Sequence, residues 1–391
     1  MNYLIRVVFI FSNVIAVSAQ NSYYPSLDWG TYKINYTDTI IYDNEILYNE
    51  FNYKGKAPLF VQIWFPESEK TTNKYLRLGD LKFKAVPKEL VKVYDILSAR
   101  MDETLLRDGI ESDSFTGEPV DYKNISTNEI LQRIKLIKTK STRSRLGSKL
   151  DFPVILYHHG SQGISYENFV MAEYFASKGY VFISANFHLP FPNTSFGLLP
   201  YELEMENKHN QSSAKTLINF AKSISTGKSV FFIGHSWGAQ EGWCFLNEDT
   251  LVDAFVSMET TLEFKTDPVE IKEKWPYVFD ALQTKKNKFS IPILLFAALE
   301  KTTNFHFFKG LSSEKMVYAS YKKPFAHNSY ASLYTIRYYI KDVIPQPDTD
   351  TLVSQIKGYS KHLKMMCSFF EHVQNKKEFQ QIDFDVDFHF N

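Results

Sequence analysis

The feature that most constrains this chain is a series of short, uniformly apolar runs in its second half. "PVILYHH", "YVFISANF", "SVFFIG", "VDAFVSME", "IPILLFAALE" and "KMVYASY" follow one another between Pro153 and Tyr321, with helical segments between most of them. A strand with one wet face alternates apolar and polar side chains, whereas a strand buried on both faces does not. Such runs therefore predict an α/β fold, a largely parallel sheet with helices packed on both sides. "SYENFVMAEYFASKGY" supplies one crossover helix, stopped by Gly179, and "SSAKTLINFAKSIS" supplies another. "TLVSQIKGYSKHLKMMCSFFEHVQ" reads as a last covering helix, and the alternating tail "QIDFDVDFHFN" as an edge strand.

Upstream of Phe152 the pattern differs. "TYKINYTDTIIY" and "APLFVQIWFP" read as strands, then the apolar spacing becomes helical, with Leu90, Val93, Tyr94 and Leu97 on one stripe. "STNEILQRIKLIK" opens on a Ser/Thr cap and is helical again. Residues 86–149 are expected to form a helical insertion or cap inside a single domain spanning 20–391. The basic run from Ile134 to Arg145 is read as a helix end and solvated loop.

At the N-terminus, Arg6 precedes "VVFIFSNVIAV", and small residues at Val17 and Ala19 close the segment. This is the layout of a signal peptide over residues 1–19, cleaved after Ala19, so a secreted or periplasmic location is expected. The apolar stretch is too short for a comfortable membrane span. Lys+Arg and Asp+Glu both number 44, which leaves no field to attract nucleic acid. Two cysteines exclude a disulfide framework; Cys244 and Cys367 could pair, but Cys244 is read as a packed thiol. N-x-[ST] sequons begin at Asn35, Asn124, Asn193 and Asn210. Asp383, Asp385 and Asp387 lack the glycine and distal glutamate of a calcium loop, so no metal is expected there.

Chemistry concentrates at "GHSWGA", Gly234 to Ala239, directly behind "SVFFI". A nucleophilic serine on a sharp strand-to-helix turn needs small neighbours two residues before and after, and Gly234 and Gly238 supply them around Ser236. The helix that follows brings backbone N–H groups and the positive end of its dipole to the hydroxyl. An oxyanion needs two donors, and the Trp237 amide is the first candidate. "LYHHGSQG" leaves another strand and offers the Ser161 amide as the second, with Gly160 permitting the turn. The general base must be a histidine after Ser236. His306, His362, His372 and His389 fall in aromatic, helical or tail contexts, whereas His327, in "KKPFAHNSY", follows a strand and is preferred. The acid must end an intervening strand, and both Glu259 and Glu300 qualify.

"YHHGSQG", "AEYFASKGYVFISANF", "GHSWGA" and "FAHNSY" resemble the α/β-hydrolase superfamily. Within it they are similar to the branch of platelet-activating-factor acetylhydrolases and dienelactone-hydrolase-like esterases. The resemblance implies an eight-stranded, mostly parallel sheet and no cofactor. It also implies an acid after the strand that follows the nucleophile's, which selects Glu259 over Glu300, although that group uses aspartate there. The expectation is a secreted serine hydrolase with a Ser236–His327–Glu259 triad, acting on a small-molecule ester or lipid. A peptidase or amidase on the same fold, and a non-catalytic binding protein, are the alternatives.

Overall fold

The structure, a computed structural model, describes residues 27–67, 74–107, 125–147, 149–192, 200–246, 251–260, 268–285, 289, 291–297, 316–321, 327–342, 349–377, 379 and 386–390. The expected signal peptide therefore lies outside the described residues, as do Glu300, His306, Asn124 and Asn193.

The strands are β1 (Lys33–Tyr48), β2 (Gly55–Glu67), β3 (Tyr75–Arg77), β4 (Lys138–Arg143), β5 (Val154–His158) and β6 (Val181–Ala185). They continue with β7 (Val230–His235), β8 (Ala254–Met258), β9 (Ile293–Ala297), β10 (Met316–Tyr321) and β11 (Val386–Phe390). The helices are α1 (Val91–Leu106), α2 (Thr127–Lys135), α3 (Phe169–Ser177), α4 (Pro200–Ile224) and α5 (Trp237–Phe245). After them come α6 (Pro268–Lys274), α7 (Pro276–Lys285), α8 (Leu333–Tyr339) and α9 (Thr349–Asn375).

All eleven strands join one sheet in the order β11-β10-β9-β8-β7-β5-β6-β2-β1-β4-β3. The six strands from β10 to β6 are parallel neighbours, matching the apolar runs. β2 pairs antiparallel with β6 and with β1, and the tail strand β11, expected as an edge strand, lies at the sheet edge and pairs antiparallel with β10. The expected eight strands are thus present, and three more (β3, β4 and β11) extend the sheet at its two edges.

Uniform apolarity has the expected cause. Ile155, Tyr157, Phe231, Ile233 and Val256 pack on one face with α3 and α9, while Val154, Leu156, Phe232 and Phe255 pack on the other with α4 and α5. Phe231 stacks on Phe370 of α9 with ring centroids 4.4 Å apart. Each such buried ring contributes about 1.5–3 kcal/mol of transfer free energy. Cys244 and Cys367 are both buried thiols outside any disulfide, and they belong to clusters on opposite faces of the sheet, so they do not pair with each other.

The insertion departs from expectation. Its helices α1 and α2 are present, but the basic run read as helix end and loop contains β4, which pairs parallel with β1 and antiparallel with β3. The strand escaped the apolar pattern because its buried side chains are Thr139, Ser141 and Thr142. Their polar groups are satisfied internally: Ser141 Oγ donates to Glu173 Oε1 at 2.6 Å, and Thr142 Oγ1 to Asn35 Oδ1 at 2.9 Å. Hydrogen bonding makes such burial tolerable. It also fixes Asn35, and Asn210 is equally buried, so neither sequon presents its amide to solvent in the folded chain. Among the described residues no helix is long and apolar enough to cross a membrane.

Candidate active site

Strand order reverses around β5: the chain passes from β5 to β6 on one side, then returns to lay β7 on the other. Loops leaving the carboxyl ends of strands at such a reversal diverge and open a crevice. β5 ends at His158 and the loop after it carries His159 to Gly163, and the turn after β7 carries Ser236.

Ser236 adopts φ 53° and ψ −112° between β7 and α5. That backbone is costly for any residue with a Cβ, and its neighbours explain how the turn forms. A Cβ on Gly234 would stand 2.5 Å from the Ala239 backbone, and one on Gly238 would stand 2.3 Å from the His158 carbonyl oxygen. The Ser236 amide donates to Met258 O at 2.9 Å, anchoring the turn to the end of β8. α5 begins at Trp237, so the first-turn amides of this helix start beside the serine. Ser236 itself is half-buried.

Gly160 approaches from the other side. A Cβ there would lie 3.1 Å from Ser236 Cβ and 2.4 Å from Gln162 Oε1, so the Gly-Ser-Gln turn reaches the serine because position 160 has no side chain. Ser161, the predicted second donor, is exposed on this turn. The two histidines before it are fully buried rather than on the surface. His158 stacks on Phe187 with centroids 3.8 Å apart and donates from Nδ1 to His159 O. His159 donates from Nδ1 to Gly160 O at 2.8 Å and accepts from the Phe187 amide at Nε2, which fixes its neutral tautomer. Burial pushes the pKa of both rings down, that of His158 far below the usual imidazole range. They are shaping residues of the loop, held uncharged.

His327 and Glu259 come together from distant segments. Glu259 follows β8 with φ 48°, its amide donating to Phe296 O. His327 opens a single 3-10 turn, His327–Tyr330. His327 Nδ1 stands 3.2 Å from Glu259 Oε2, the imidazole 40% exposed and the carboxylate 9%. The contact is one of ion-pair distance, with the ring N–H not aligned on that oxygen. With Nδ1 turned to Glu259, the Nε2 edge of His327 remains for other chemistry. The His235 ring, one residue before Ser236, lies 4.9 Å from the His327 ring between centroids. Gln162 Nε2 reaches Asn328 Oδ1 at 3.4 Å, closing the loop after β5 onto the same segment.

The Trp237 indole is buried with its ring 6.4 Å from that of His188 between centroids. With the Asn210 amide nitrogen donating to Phe187 O, its oxygen accepts from Trp237 Nε1 at 3.3 Å. α1 borders the same region: Met101 Sδ contacts Asn186 Nδ2 and Arg100 Nη2 donates to Phe191 O. Among the described residues no group of three or more His, Cys, Asp or Glu side chains could hold a metal ion.

Sequence reasoning missed Glu167 and His235. Both are buried behind Ser236, with His235 Nδ1 3.5 Å from Glu167 Oε1. An acid in "SYENF", just before a largely apolar helix, was the available signal; nothing in Gly-x-Ser-x-Gly marks the residue before the serine.

No curated protein matches the sequence. Among solved structures, a ferulic acid esterase from Streptomyces cinnamoneus superposes with a TM-score of 0.56 at 13% identity, covering 91% of this chain and 96% of that one. An acylaminoacyl peptidase from Pyrococcus horikoshii covers 61% of this chain and 39% of its own, at 17% identity and a TM-score of 0.40. At these identities the likeness to the esterase is one of fold. A family model described as alpha/beta hydrolase fold matches residues 153–353. That span runs from the first parallel strand into α9 and includes the serine turn, Glu259 and His327, more than half the chain. By its sequence as well as its sheet topology, this chain belongs to the α/β-hydrolase fold family.

Proposed function

We propose that the protein is an exported serine hydrolase that cleaves carboxylic esters through an acyl-enzyme. The observation that carries this reading is the pairing of His327 Nδ1 with Glu259 Oε2 at 3.2 Å, on the sheet edge where Ser236 is held at φ 53°. Ser236 Oγ attacks the acyl carbonyl while His327 Nε2 takes its proton. Glu259 holds the ring by Nδ1 and stabilises the imidazolium. The Trp237 and Ser161 amides receive the oxyanion. His327 then returns the proton to the leaving alcohol, and a water molecule, deprotonated by the same ring, releases the acid. Export rests on the charged, apolar and small-residue layout of the first 19 residues. A small-molecule ester or lipid as substrate, and a place in the acetylhydrolase and dienelactone-hydrolase-like branch, rest on the motifs around Gly160, Ser236 and His327.

Turnover of p-nitrophenyl acetate and butyrate, set beside a panel of aminoacyl anilides, tests the bond cleaved. The reading expects the esters to be hydrolysed and Ser236→Ala to abolish it. Preference for the anilides, or ester turnover undiminished in Ser236→Ala, contradicts it.

A further inference from the structure

Three loops must hold a common geometry if the site works as proposed: the Gly160 turn, the Ser236 turn and the His327 segment. One buried residue, Glu167, reaches the first two with its carboxylate and the neighbourhood of the third with its backbone. Glu167 Oε1 accepts from the Gly160 amide at 3.4 Å and from Tyr157 Oη, and lies 3.5 Å from His235 Nδ1. The backbone oxygen of Glu167 accepts from the Ser332 amide at 3.0 Å, four residues beyond Asn328. His235 completes the brace, because its Nε2 lies 3.2 Å from the carbonyl oxygen of His327. A carbonyl accepts and cannot donate, so this nitrogen carries a proton.

The other ring nitrogen also faces an oxygen, that of Glu167. That approach, 3.5 Å, is of ion-pair distance without an aligned hydrogen bond; with the N–H of a neutral ring at Nε2, Nδ1 has a proton for Glu167 only if ring and carboxylate share a further one. Both side chains are 1% exposed, and an interior of this kind makes an unmatched charge expensive. Oε1 of the carboxylate takes the Gly160 amide and Tyr157 Oη, the latter held in turn by Asn168 Nδ2 at 2.7 Å, while Oε2 has no hydrogen-bond partner among the described residues. Tyr359 Oη on α9 donates to Asn168 Oδ1 at 2.8 Å, tying the network to the covering helix.

We infer that Glu167 and His235 are a buried positioning pair that sets the His327 backbone, and through it the imidazole, relative to Ser236 and the Gly160 turn. Neither touches substrate. The inference rests on the esterase reading above, and its test separates the two. His235→Gln carries an amide nitrogen near the place of the imidazole Nε2 and keeps the bond to His327 O. His235→Asn is shorter, keeps a donor for Glu167 and loses His327 O. Ester kinetics are read per active site, with sites counted by fluorophosphonate titration so that misfolded chains drop out. His235→Asn is expected to lose kcat by about 30-fold with KM within about twofold, and His235→Gln to stay within about threefold of wild type. Equal loss in both variants, or kcat unchanged in both, overturns the inference while wild-type turnover leaves the esterase reading intact. A wild type that neither turns over esters nor takes the label defeats that reading instead. A measurement independent of activity is proton NMR of the native enzyme. A downfield imidazole N–H signal should survive Glu259→Gln and vanish in Glu167→Gln; its absence from wild type, or its persistence in Glu167→Gln, also overturns the pair.

Discussion

Glycine normally weakens a protein relative to alanine, and at position 236 the order should reverse. Ser236 sits at φ 53° and ψ −112°, where a Cβ crowds the backbone. Holding a non-glycine residue in such a region costs about 1–3 kcal/mol. Ser236→Ala removes the hydroxyl and keeps that cost. Ser236→Gly removes both, and gives back about 0.5–1 kcal/mol through the greater freedom of glycine in the unfolded chain. The glycine variant should therefore equal or exceed the alanine variant by up to about 2.5 kcal/mol, with about 1 kcal/mol the central expectation. Parallel urea denaturation of the two variants reads this difference directly. Both lack the hydroxyl, so catalysis does not enter, and a shift of midpoint at constant slope reports stability alone. An alanine variant more stable than the glycine variant by about 0.5–1 kcal/mol, the usual order in unstrained backbone, would refute the strained turn.

Other consequences follow from the same geometry. Gly238→Ala places a Cβ 2.3 Å from the His158 carbonyl oxygen, a backbone atom that cannot swing aside. It should destabilise the fold by about 2–3 kcal/mol and lower Tm in a thermal melt. Glu259→Gln should leave KM nearly unchanged and lower ester kcat by about 10²–10⁴, since the ring loses its orienting carboxylate. Glu173, buried with Oε1 accepting from Ser141 Oγ and the Lys140 amide, has its pKa pushed up by burial from 4.5 to about 7. A folded pKa above the unfolded one means the native state holds the proton more tightly. The resulting stability is full below about pH 4.5 and is lost as pH rises through about 7, amounting to about 3 kcal/mol at most. Glu173→Gln should flatten that slope between pH 5 and pH 8 in denaturation measurements.

The parallel sheet was legible because burial on both faces demands apolar residues at every position, and Val154 to Tyr157 or Val230 to Ile233 leave no other reading. The serine turn was legible for steric reasons, since Gly234 and Gly238 answer contacts that no side chain tolerates. β4 was not, because Ser141 and Thr142 are buried by pairing with Glu173 and Asn35, partners more than 30 residues away. Nothing in the sequence marks His158 and His159 as buried, because their burial depends on Phe187, supplied by the next strand's exit loop. Choosing Glu259 needed the resemblance, because two strand ends offered a glutamate. Glu167 and His235 gave no adequate signal: apart from the Tyr157 hydroxyl their partners are backbone groups and each other, and such partners leave no residue pattern.

The most direct measurement is the site of covalent capture. After reaction with a fluorophosphonate, intact-mass and peptide-mapping spectrometry should find one adduct per chain, on Ser236, absent in Ser236→Ala and formed far more slowly in His327→Ala. An adduct on a different residue, or labelling at an unchanged rate without the His327 imidazole, would contradict the hydrolytic account at its centre.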